Sequence, residues 1–506
     1  MRYYRGAKVA SAQGKGESMI ERGRLERYRR ASIGSLDAFS AFSQLQSLSI
    51  DSFFMQSSEA IGRAPDLSVI GVGPFERICN LGDRVLLTFN GRSEFSQEPF
   101  FKILEERIES IQTSEETGIK FQNGGIFGCI GYDCIAEIEP KLRQTGYFKI
   151  PTSQPIAEVV VARQLIVFDH KNNALHLISS DPSAAFCDLD ALESILEHAP
   201  QAEPEMLASE SLDLATHRLN PCLGEKRYKN LVSFIKEHIK EGNIFQAVLA
   251  ERFECETTAT EFEIFRALRR SSPAPYSFYF KLSGSTFFGA SPEAFVKVEG
   301  RTVATNPIAG SRPRGRTIKE DKLYEKQLLR SPKESAEHLM LVDLARNDLG
   351  RLAEPGSVKV AAYRQIHYFS NVMHLVSEVR ASLAKGATAL DLFKACFPAG
   401  TLSGAPKIRA MEILSQLETS PRGLYGGAVV AFDSKGGLDS CIAIRCLEIK
   451  KGIAVLRAGA GIVSDSIAQR EYSEILSKTK LLRTAIALAE KKLRLDPVHL
   501  DQRGVI

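Results

Sequence analysis

Ser277-Phe-Tyr-Phe-Lys281, Thr286-Phe-Phe-Gly-Ala290, Ala294-Phe-Val-Lys-Val298 and Thr302-Val-Ala-Thr305 follow one another with turns at Ser283-Gly-Ser285 and Glu299-Gly-Arg301. Aromatic and β-branched residues suit a pleated surface, and glycine supplies the backbone freedom that hairpin turns need. Consecutive hairpins mean antiparallel sheet. Working outward, 318–349 has helical spacing with one apolar face and many charges. Pro332 should divide it, because proline lacks an N–H and crowds the preceding turn. A shorter helix is expected over 228–239, with Leu231, Phe234, Ile235 and His238 on one face and a stop near Gly242. Further strands are expected over 426–432, 441–449 and 453–457. Upstream, the β-branched run 159–167 and the segment 174–178 flank the turn Asp169-His-Lys-Asn-Asn173. Strands cluster in hairpins and helices come in separate runs, so the expected fold class is α+β, antiparallel sheets flanked by helices. No tandem repeat is visible.

The chain of 506 residues is long enough for two to three domains. Residues 1–44 read as a basic N-terminal extension, a helix or a tail, carrying Arg2, Arg5, Arg22, Arg24, Arg27, Arg29 and Arg30. They lack the apolar stretch of a secretory signal, and Glu17, Glu21 and Glu26 oppose a transit peptide. A first domain is expected over 45–196, a linker containing Pro200, Pro204 and Pro221 over 197–225, a second domain over 226–490 and a tail over 491–506. Hydrophobic residues at 44% and charged residues at 25% exclude a disordered or fibrous chain. No apolar run is long enough to span a membrane. Sixty-five basic against sixty-one acidic residues, a net +4, are too balanced for a dedicated nucleic-acid binder. The nine cysteines show no C-x2-C spacing, and Cys441 and Cys446 flank an apolar segment. They read as packing thiols in a reducing cytoplasm.

Several segments could carry chemistry. Ala458-Gly-Ala-Gly461 reads as a strand end that turns on glycines into a helix, which Ser466 and Gln469 would cap. Such a turn can bring backbone N–H groups to a carboxylate, or be a plain tight turn. Phe397-Pro-Ala-Gly-Thr-Leu-Ser-Gly-Ala-Pro-Lys407 fails as a nucleotide P-loop, since Pro406 intrudes and no hydroxyl follows Lys407. It remains a loop bearing Thr401 and Ser403 at a helix start, a place that favours an anion. Glu337 shares a helix face with Leu341 and Leu344, and Glu471 and Glu474 share another. Carboxylates on two helices suit Mg²⁺, or they are solvated charges such as Glu474 with Lys478. His374 in a strand-like stretch is a core residue or an acid–base group. Arg445, read on a central strand, and Glu293, at a hairpin end, are either a structural ion pair or an anion fork and a general acid.

Taken in order, these segments resemble the chorismate-utilising enzymes, and within them the large subunits of anthranilate synthases. The resemblance rests on Asn243-Ile-Phe-Gln-Ala-Val-Leu249, Gly289-Ala-Ser-Pro-Glu293 and Pro307-Ile-Ala-Gly-Ser-Arg-Pro-Arg-Gly315. It extends through 336–350, Val372-Met-His-Leu-Val-Ser377, 397–411, Tyr425-Gly-Gly-Ala428, Ile442-Ala-Ile-Arg445 and 458–466. It implies the fold shared with aminodeoxychorismate synthase, with 45–196 regulatory and 226–490 binding chorismate. It also implies a lyase in which ammonia adds to chorismate and pyruvate leaves, giving anthranilate at the entry to tryptophan synthesis. Carried over by position, Glu337 and Glu474 would hold Mg²⁺. Gln246, Gly310, Ser311, Tyr425, Arg445, Gly459, Ala460 and Gly461 would bind substrate, and Thr401 would line the site. Glu293 would act as acid and His374 as proton-transfer residue.

Gln246 stands where water-activating relatives carry lysine, and Ala309 where many aminodeoxychorismate synthases carry a lysine nucleophile. An aminodeoxychorismate synthase without that lysine is the alternative, and a silent chorismate- or tryptophan-binding subunit a more distant one. No glutamine-hydrolysing motif is seen, so a separate glutamine amidotransferase subunit, and hence a hetero-oligomer, is expected. Ser57, Pro275 and Tyr276 match the family's tryptophan site, where Ser277 would also line the pocket. There Gln56 and Ser277 depart from the usual carboxylate and methionine, which implies altered inhibition.

Overall fold

The hairpin Tyr276–Leu282 with Ser285–Ser291 lies at the centre of a 12-stranded antiparallel sheet. A computed structural model describes residues 27–32, 36–47, 49–58, 66–73, 75–112, 120–144, 155–180, 196, 219–271, 274–282, 284–368 and 372–495. Side chains alternate along the strands as pleating requires. Phe53, Phe278, Phe280 and Phe287 enter one core, while Phe54, Tyr279 and Phe288 enter another on the opposite face. The first core is shared with a second 12-stranded sheet, and Phe53 stacks on Phe127 of that sheet with ring centroids 4.6 Å apart. The second core is closed by the helices Ala38–Leu45, Glu225–Lys240, Glu261–Ser271, Lys407–Leu417 and Ala468–Leu495. The α+β reading holds.

The two halves of the chain are interleaved. Strands Ser52–Ser57 and Leu67–Val72 pair into the first sheet beside Tyr276–Leu282, and Gly125–Ile130 pairs with Ala428–Asp433 in the second. The boundary between 45–196 and 226–490 therefore divides the sequence, while both sheets draw on both segments. Part of the expected extension is fold: Arg27–Ser32 pairs with Ala174–Ser179, and Ala38–Leu45, capped by Asp37, buries Phe42 and Leu45. Residues 1–26 lie outside the described residues, as do 197–218 of the linker and 496–506 of the tail. The last helix runs on to Leu495, and residues 219–224 are anchored, with the N–H groups of Leu223 and Gly224 donating to Glu251.

Helix breaks follow the sequence closely. Ile318–Arg330 and Pro332–Gly350 are separate helices, and the Ser331 side chain caps the second by accepting from the N–H of Glu334. Three other expectations are corrected. In Glu225–Lys240 the buried face is Tyr228, Val232 and Ile235, and Phe234 is exposed against His238. The strand expected over 294–298 shrinks to Lys297–Glu299, with Ala294 bridged to Cys441. The single strand expected over 441–449 is two, Leu438–Ile442 in the second sheet and Cys446–Lys450 in the first. The apolar run did not reveal the break because both pieces are buried.

Candidate active site

That break builds the site. Between Leu438–Ile442 and Cys446–Lys450 the chain changes sheet, and Arg445 takes a left-handed φ of 50° at the bend. The reverse change occurs between Ser285–Ser291 and Lys297–Glu299, and this connection carries Glu293. The two crossings are stitched together: the N–H of Ile442 donates to the Glu293 carbonyl at 3.0 Å, and that of Ala290 donates to the Arg445 carbonyl at 3.2 Å. The expected place of Arg445 in mid-strand is thus corrected; the bend lets its side chain leave the sheet. Burial disfavours its charge, and Glu293 acts against that effect. Among the described residues no carboxylate lies within ion-pair distance of it, so its planar fork suits an incoming anion.

Glu293 is pushed up to about 7, chiefly by burial, against the Thr401 hydroxyl and the charges of Arg445 and Lys478. A carboxyl group with that value can hold a proton at neutral pH and release it, the requirement for a general acid. Thr401 donates to Glu293 Oε1 at 3.3 Å from the short turn Gly400–Leu402. A Cβ at 400 would lie 1.8 Å from a methyl of Leu344 in the helix Pro332–Gly350, so a larger residue there would displace that side chain. The loop's other polar groups face inward. Ser403 donates to the Ala399 carbonyl, and Lys407 is held by Asp348 and the Cys396 carbonyl. Thr401 therefore serves the acid, and Ser403 serves the loop.

His374 lies on the strand Val372–Ser382, directly opposite Ser311. Its Nδ1 donates to the Gly310 carbonyl at 2.9 Å, which puts the lone pair of the neutral ring on Nε2. Burial, together with Arg445, holds the imidazole below its ordinary value against that bond, which favours the neutral ring. The ladder is irregular between Ala309 and Ser311, and Gly310 sits there with φ of 61°. Ser311 itself is exposed.

The glycine segment differs from expectation. Gly459, Ala460 and Gly461 lie inside the strand Ile453–Ile462, opposite Ala250, Leu249 and Val248. The turn comes later, at 463–467, where Ser466 Oγ accepts from the N–H of Val463, and the helix starts at Ala468 without the expected Ser466–Gln469 box. The glycines make room for neighbours. A Cβ at 459 would lie 3.3 Å from the Tyr425 hydroxyl, and one at 461 would lie 2.8 Å from Gln246 Nε2. Gln246 is buried and its Oε1 lacks a partner among the described residues. Ala460 belongs to the helix-side core, so its side chain points away from Gly459 and Gly461.

Two helices bring the carboxylates together. Glu337 is raised by burial, then by the like charges of Glu334 and Glu474, and Glu471 is raised by burial and by Glu474. Lys333 and Lys478 oppose both effects. Glu474 is exposed and pairs with Lys478 at 2.8 Å. Glu334, which sequence reasoning passed over, stands three residues before Glu337 as Glu471 stands before Glu474. It also pairs with Arg312 at 3.2 Å. Among the described residues no group of three or more His, Cys, Asp or Glu is gathered tightly enough to chelate a metal alone. The donors still fit Mg²⁺: hard oxygens on two helices that repel one another, leaving the rest of the shell to water and an anionic ligand.

Of the residues proposed for tryptophan, Ser57 lies opposite Tyr276, whose hydroxyl donates to Asp439 at 2.9 Å. The Pro275 carbonyl accepts from the N–H of Ser58. A cavity of about 40 Å³ lined by Met55, Ser57, Val69, Lys120 and Asp439 opens beside them. Ser277 pairs with Gln56 on the opposite face of the sheet, so alternation separates it from Ser57 and Tyr276. A larger cavity of about 910 Å³, lined by Arg84, Glu137, Arg143, Arg351 and Lys394, contains none of the expected site residues. The eight described cysteines are free thiols, all but Cys222 buried. No helix among the described residues is long and apolar enough to cross a membrane.

Residues 63–484 match the family model described as chorismate binding enzyme. The chain is 38% identical over 466 residues to anthranilate synthase component 1 of Bacillus caldotenax, covering 87% of this chain and 89% of that one. It is 37% identical over 475 residues to the Thermus thermophilus protein of the same name, covering 93% and 100%. Among solved structures it resembles anthranilate synthase component I of Streptococcus pneumoniae, with TM-score 0.69, 35% identity and coverage of 84% and 93%. The fold also matches the menaquinone-specific isochorismate synthase of Escherichia coli, with TM-score 0.66, 19% identity and coverage of 91% and 94%.

Proposed function

The chain belongs to the chorismate-binding enzyme family, and on that premise we propose that it is an anthranilate synthase large subunit, converting chorismate and ammonia into anthranilate, pyruvate and water. The observation that carries the reading is the junction of the two sheet crossings, where a proton-holding Glu293 stands beside Thr401 and a guanidinium without a carboxylate partner. Arg445 would grip a substrate carboxylate with its fork, and the strand around Gly459 and Gly461 would admit the ring close to the backbone. Gly310, Ser311, Tyr425 and Gln246 would complete the walls, and Ala460 would contribute its backbone only.

In the first step the ammonia lone pair forms a bond to C2 and the ring π-electrons shift. The C4–O bond breaks, and Glu293 supplies the proton that lets the hydroxyl leave as water. In the second step His374 Nε2 accepts the C2 proton, the C3–O bond to the enolpyruvyl group breaks, and the ring becomes aromatic. The released enolpyruvate takes a proton and becomes pyruvate. Glu337 and Glu474 would hold Mg²⁺, whose charge, when bound, attracts the ring carboxylate. Gln246 offers no amine or carboxylate to activate water, and Ala309, buried opposite Leu375, cannot form a covalent adduct.

Ammonia would come from a glutamine amidotransferase subunit, in keeping with the relatives' designation as component 1. The buried thiols Cys129, Cys134 and Cys441 are pushed far above their ordinary value by desolvation, which suits packing rather than glutamine hydrolysis and is compatible with a cytoplasmic setting. Tryptophan would bind beside Ser57 and Tyr276 with altered inhibition, because Gln56 and Ser277 replace the usual carboxylate and methionine and the cavity of about 40 Å³ there would have to widen to admit it. Unchanged activity and melting temperature at saturating tryptophan would reject that site. The activity itself is tested with the purified chain, chorismate, Mg²⁺ and an ammonium salt at alkaline pH, with the product identified by mass. Anthranilate is expected; accumulation of aminodeoxychorismate would overturn the reading.

A further inference from the structure

Arg422 is one of the most enclosed charges among the described residues, at 3% exposure, and its hydrogen bonds go to none of the side chains assigned to chemistry. Its Nε and Nη2 donate to the two carboxylate oxygens of Glu418 at 2.8 and 2.6 Å, a bidentate pair. Its remaining bonds reach backbone. Nη1 donates to the Leu402 carbonyl at 2.5 Å and Nη2 to the Val248 carbonyl at 2.6 Å. Leu402 follows Thr401, the partner of Glu293, and Val248 lies opposite Gly461 in the strand ladder. Glu418 extends the grip by accepting from the N–H of Ala250, the residue opposite Gly459. Three residues beyond Arg422 in the chain stands Tyr425.

The N-terminal half of the chain closes the other side. The guanidinium lies over the Tyr132 ring at 4.3 Å, and Asp133 accepts from the N–H of Gly423 at 2.7 Å. One buried fork thus ties together the Thr401 turn, the strand facing Gly459 and Gly461, the Tyr425 loop and the N-terminal segment.

We propose that Arg422, held by Glu418, is a positioning residue that fixes the Thr401 hydroxyl on Glu293 and thereby sets the efficiency of the acid step. A planar guanidinium can serve two carboxylate oxygens and two carbonyls at once, which a lysine ammonium with its single nitrogen cannot. A buried Arg–Glu pair alone is weak grounds for net stability, since desolvation offsets the attraction. The two carbonyl bonds in this network therefore point to geometry as what the pair maintains. The proposal rests on the lyase reading above for the identity of the reaction, but only on family membership for the binding of chorismate.

The experiment compares wild type with Arg422→Lys and Arg422→Gln, using ammonia, chorismate and Mg²⁺, and normalises rates to folded protein. Both variants should lose about tenfold or more in kcat. KM for chorismate should stay within about threefold, because Arg445 is not bonded to Arg422 and Gly459 and Gly461 keep their ladder pairing with Ala250 and Val248. The pH profile supplies a readout that a merely structural role would leave in place. The Thr401 bond, Arg445 and Lys478 are the groups that hold the Glu293 carboxyl down against burial. Loosening Thr401 should therefore move the alkaline limb of kcat to higher pH. Should both Arg422 variants precipitate, Glu418→Gln keeps the shape of the anchor, weakens it by one charge and reads the same two quantities. A lower melting temperature with unchanged kcat per folded molecule and an unmoved alkaline limb overturns the proposal. If wild type proves to make another product, chorismate affinity by calorimetry still tests the geometry. An equal loss of affinity and of rate would then mean that Arg422 shapes the substrate pocket as a whole, and would overturn its specific role on Thr401.

Discussion

Glu293 and the helix carboxylates Glu337, Glu471 and Glu474 are the same residue type placed in two opposite situations. Glu293 stands where the chain crosses between sheets and meets one hydroxyl; burial raises it to about 7, so that it can hold and release a proton near neutrality. The helix carboxylates lie within reach of one another's charge, and Glu337 and Glu471 are raised partly by their like-charged neighbours. The first environment makes a proton donor from the protein alone. The second is a surplus of negative charge that an ion would relieve. The same side chain becomes acid or ligand according to whether its neighbours are a sheet seam or other carboxylates.

The sharpest way to break that contrast is to neutralise each side in turn. Glu474→Gln and Glu337→Gln should each leave the fold intact and abolish Mg²⁺-dependent turnover, because neither amide replaces a hard anionic donor. Titration with Mg²⁺, followed by activity and by calorimetry, checks this; full activity in either variant would mean that these helices are not the ion's seat.

Neutralising the other side should be less complete and should carry a signature in stability. Glu293→Gln keeps the hydrogen bond with Thr401 but has no proton to give, so kcat should fall by about 10² to 10⁴. The Glu293 carboxyl is raised from 4.5 to about 7 in the folded chain, so the native state binds a proton that the unfolded chain releases. Its contribution to stability is present below pH 4.5 and is lost as pH rises through about 7. A shift of that size corresponds to about 3 kcal/mol. The glutamine variant escapes this loss and should gain on wild type by up to that amount between pH 5 and pH 8.5 in denaturant titrations. Parallel curves for the two proteins would mean that Glu293 is ionised throughout.

The contrast also explains what could be read in the sequence. Hairpin turns on glycine, the Pro332 break and the α+β class were legible because they are local: turn chemistry and a missing N–H act within a few residues. The residues proposed for catalysis are named by their motifs, yet their geometry is not. The sequence places Arg445 in a strand, because an apolar run carries no mark of the point where it passes from one sheet to another, and it suggests a turn at 459–461, because glycines in a strand look like glycines in a turn. Glu334 was missed although its spacing from Glu337 repeats that of Glu471 from Glu474. Its pair with Arg312 depends on a strand packing against its helix, which periodicity does not record. Arg422 carries no mark in the sequence, since two of its four acceptors, the carbonyls of Leu402 and Val248, come from distant stretches of chain.

The smallest expected effect asks whether the two regions are electrostatically one. Lys478 belongs to both: its Nζ donates to the Gly459 carbonyl at 2.7 Å, pairs with Glu474 at 2.8 Å, and lowers the carboxyl groups of Glu293, Glu337 and Glu471. It is exposed at the crevice, so its field on Glu293 is screened, and it comes last among the causes acting on that group. Lys478→Gln should therefore move the alkaline limb of kcat upward by only a few tenths of a pH unit. On the helix side the same change frees Glu474 from its partner and removes a positive charge from the ion's neighbourhood. Mg²⁺ should then bind several-fold more tightly, the gain shrinking as salt is added. A tighter ion with an unmoved limb would separate acid and carboxylates into independent devices. Movement of both would show that one lysine balances them, holding the helix carboxylates apart from the ion while it keeps the acid from becoming too weak to release its proton.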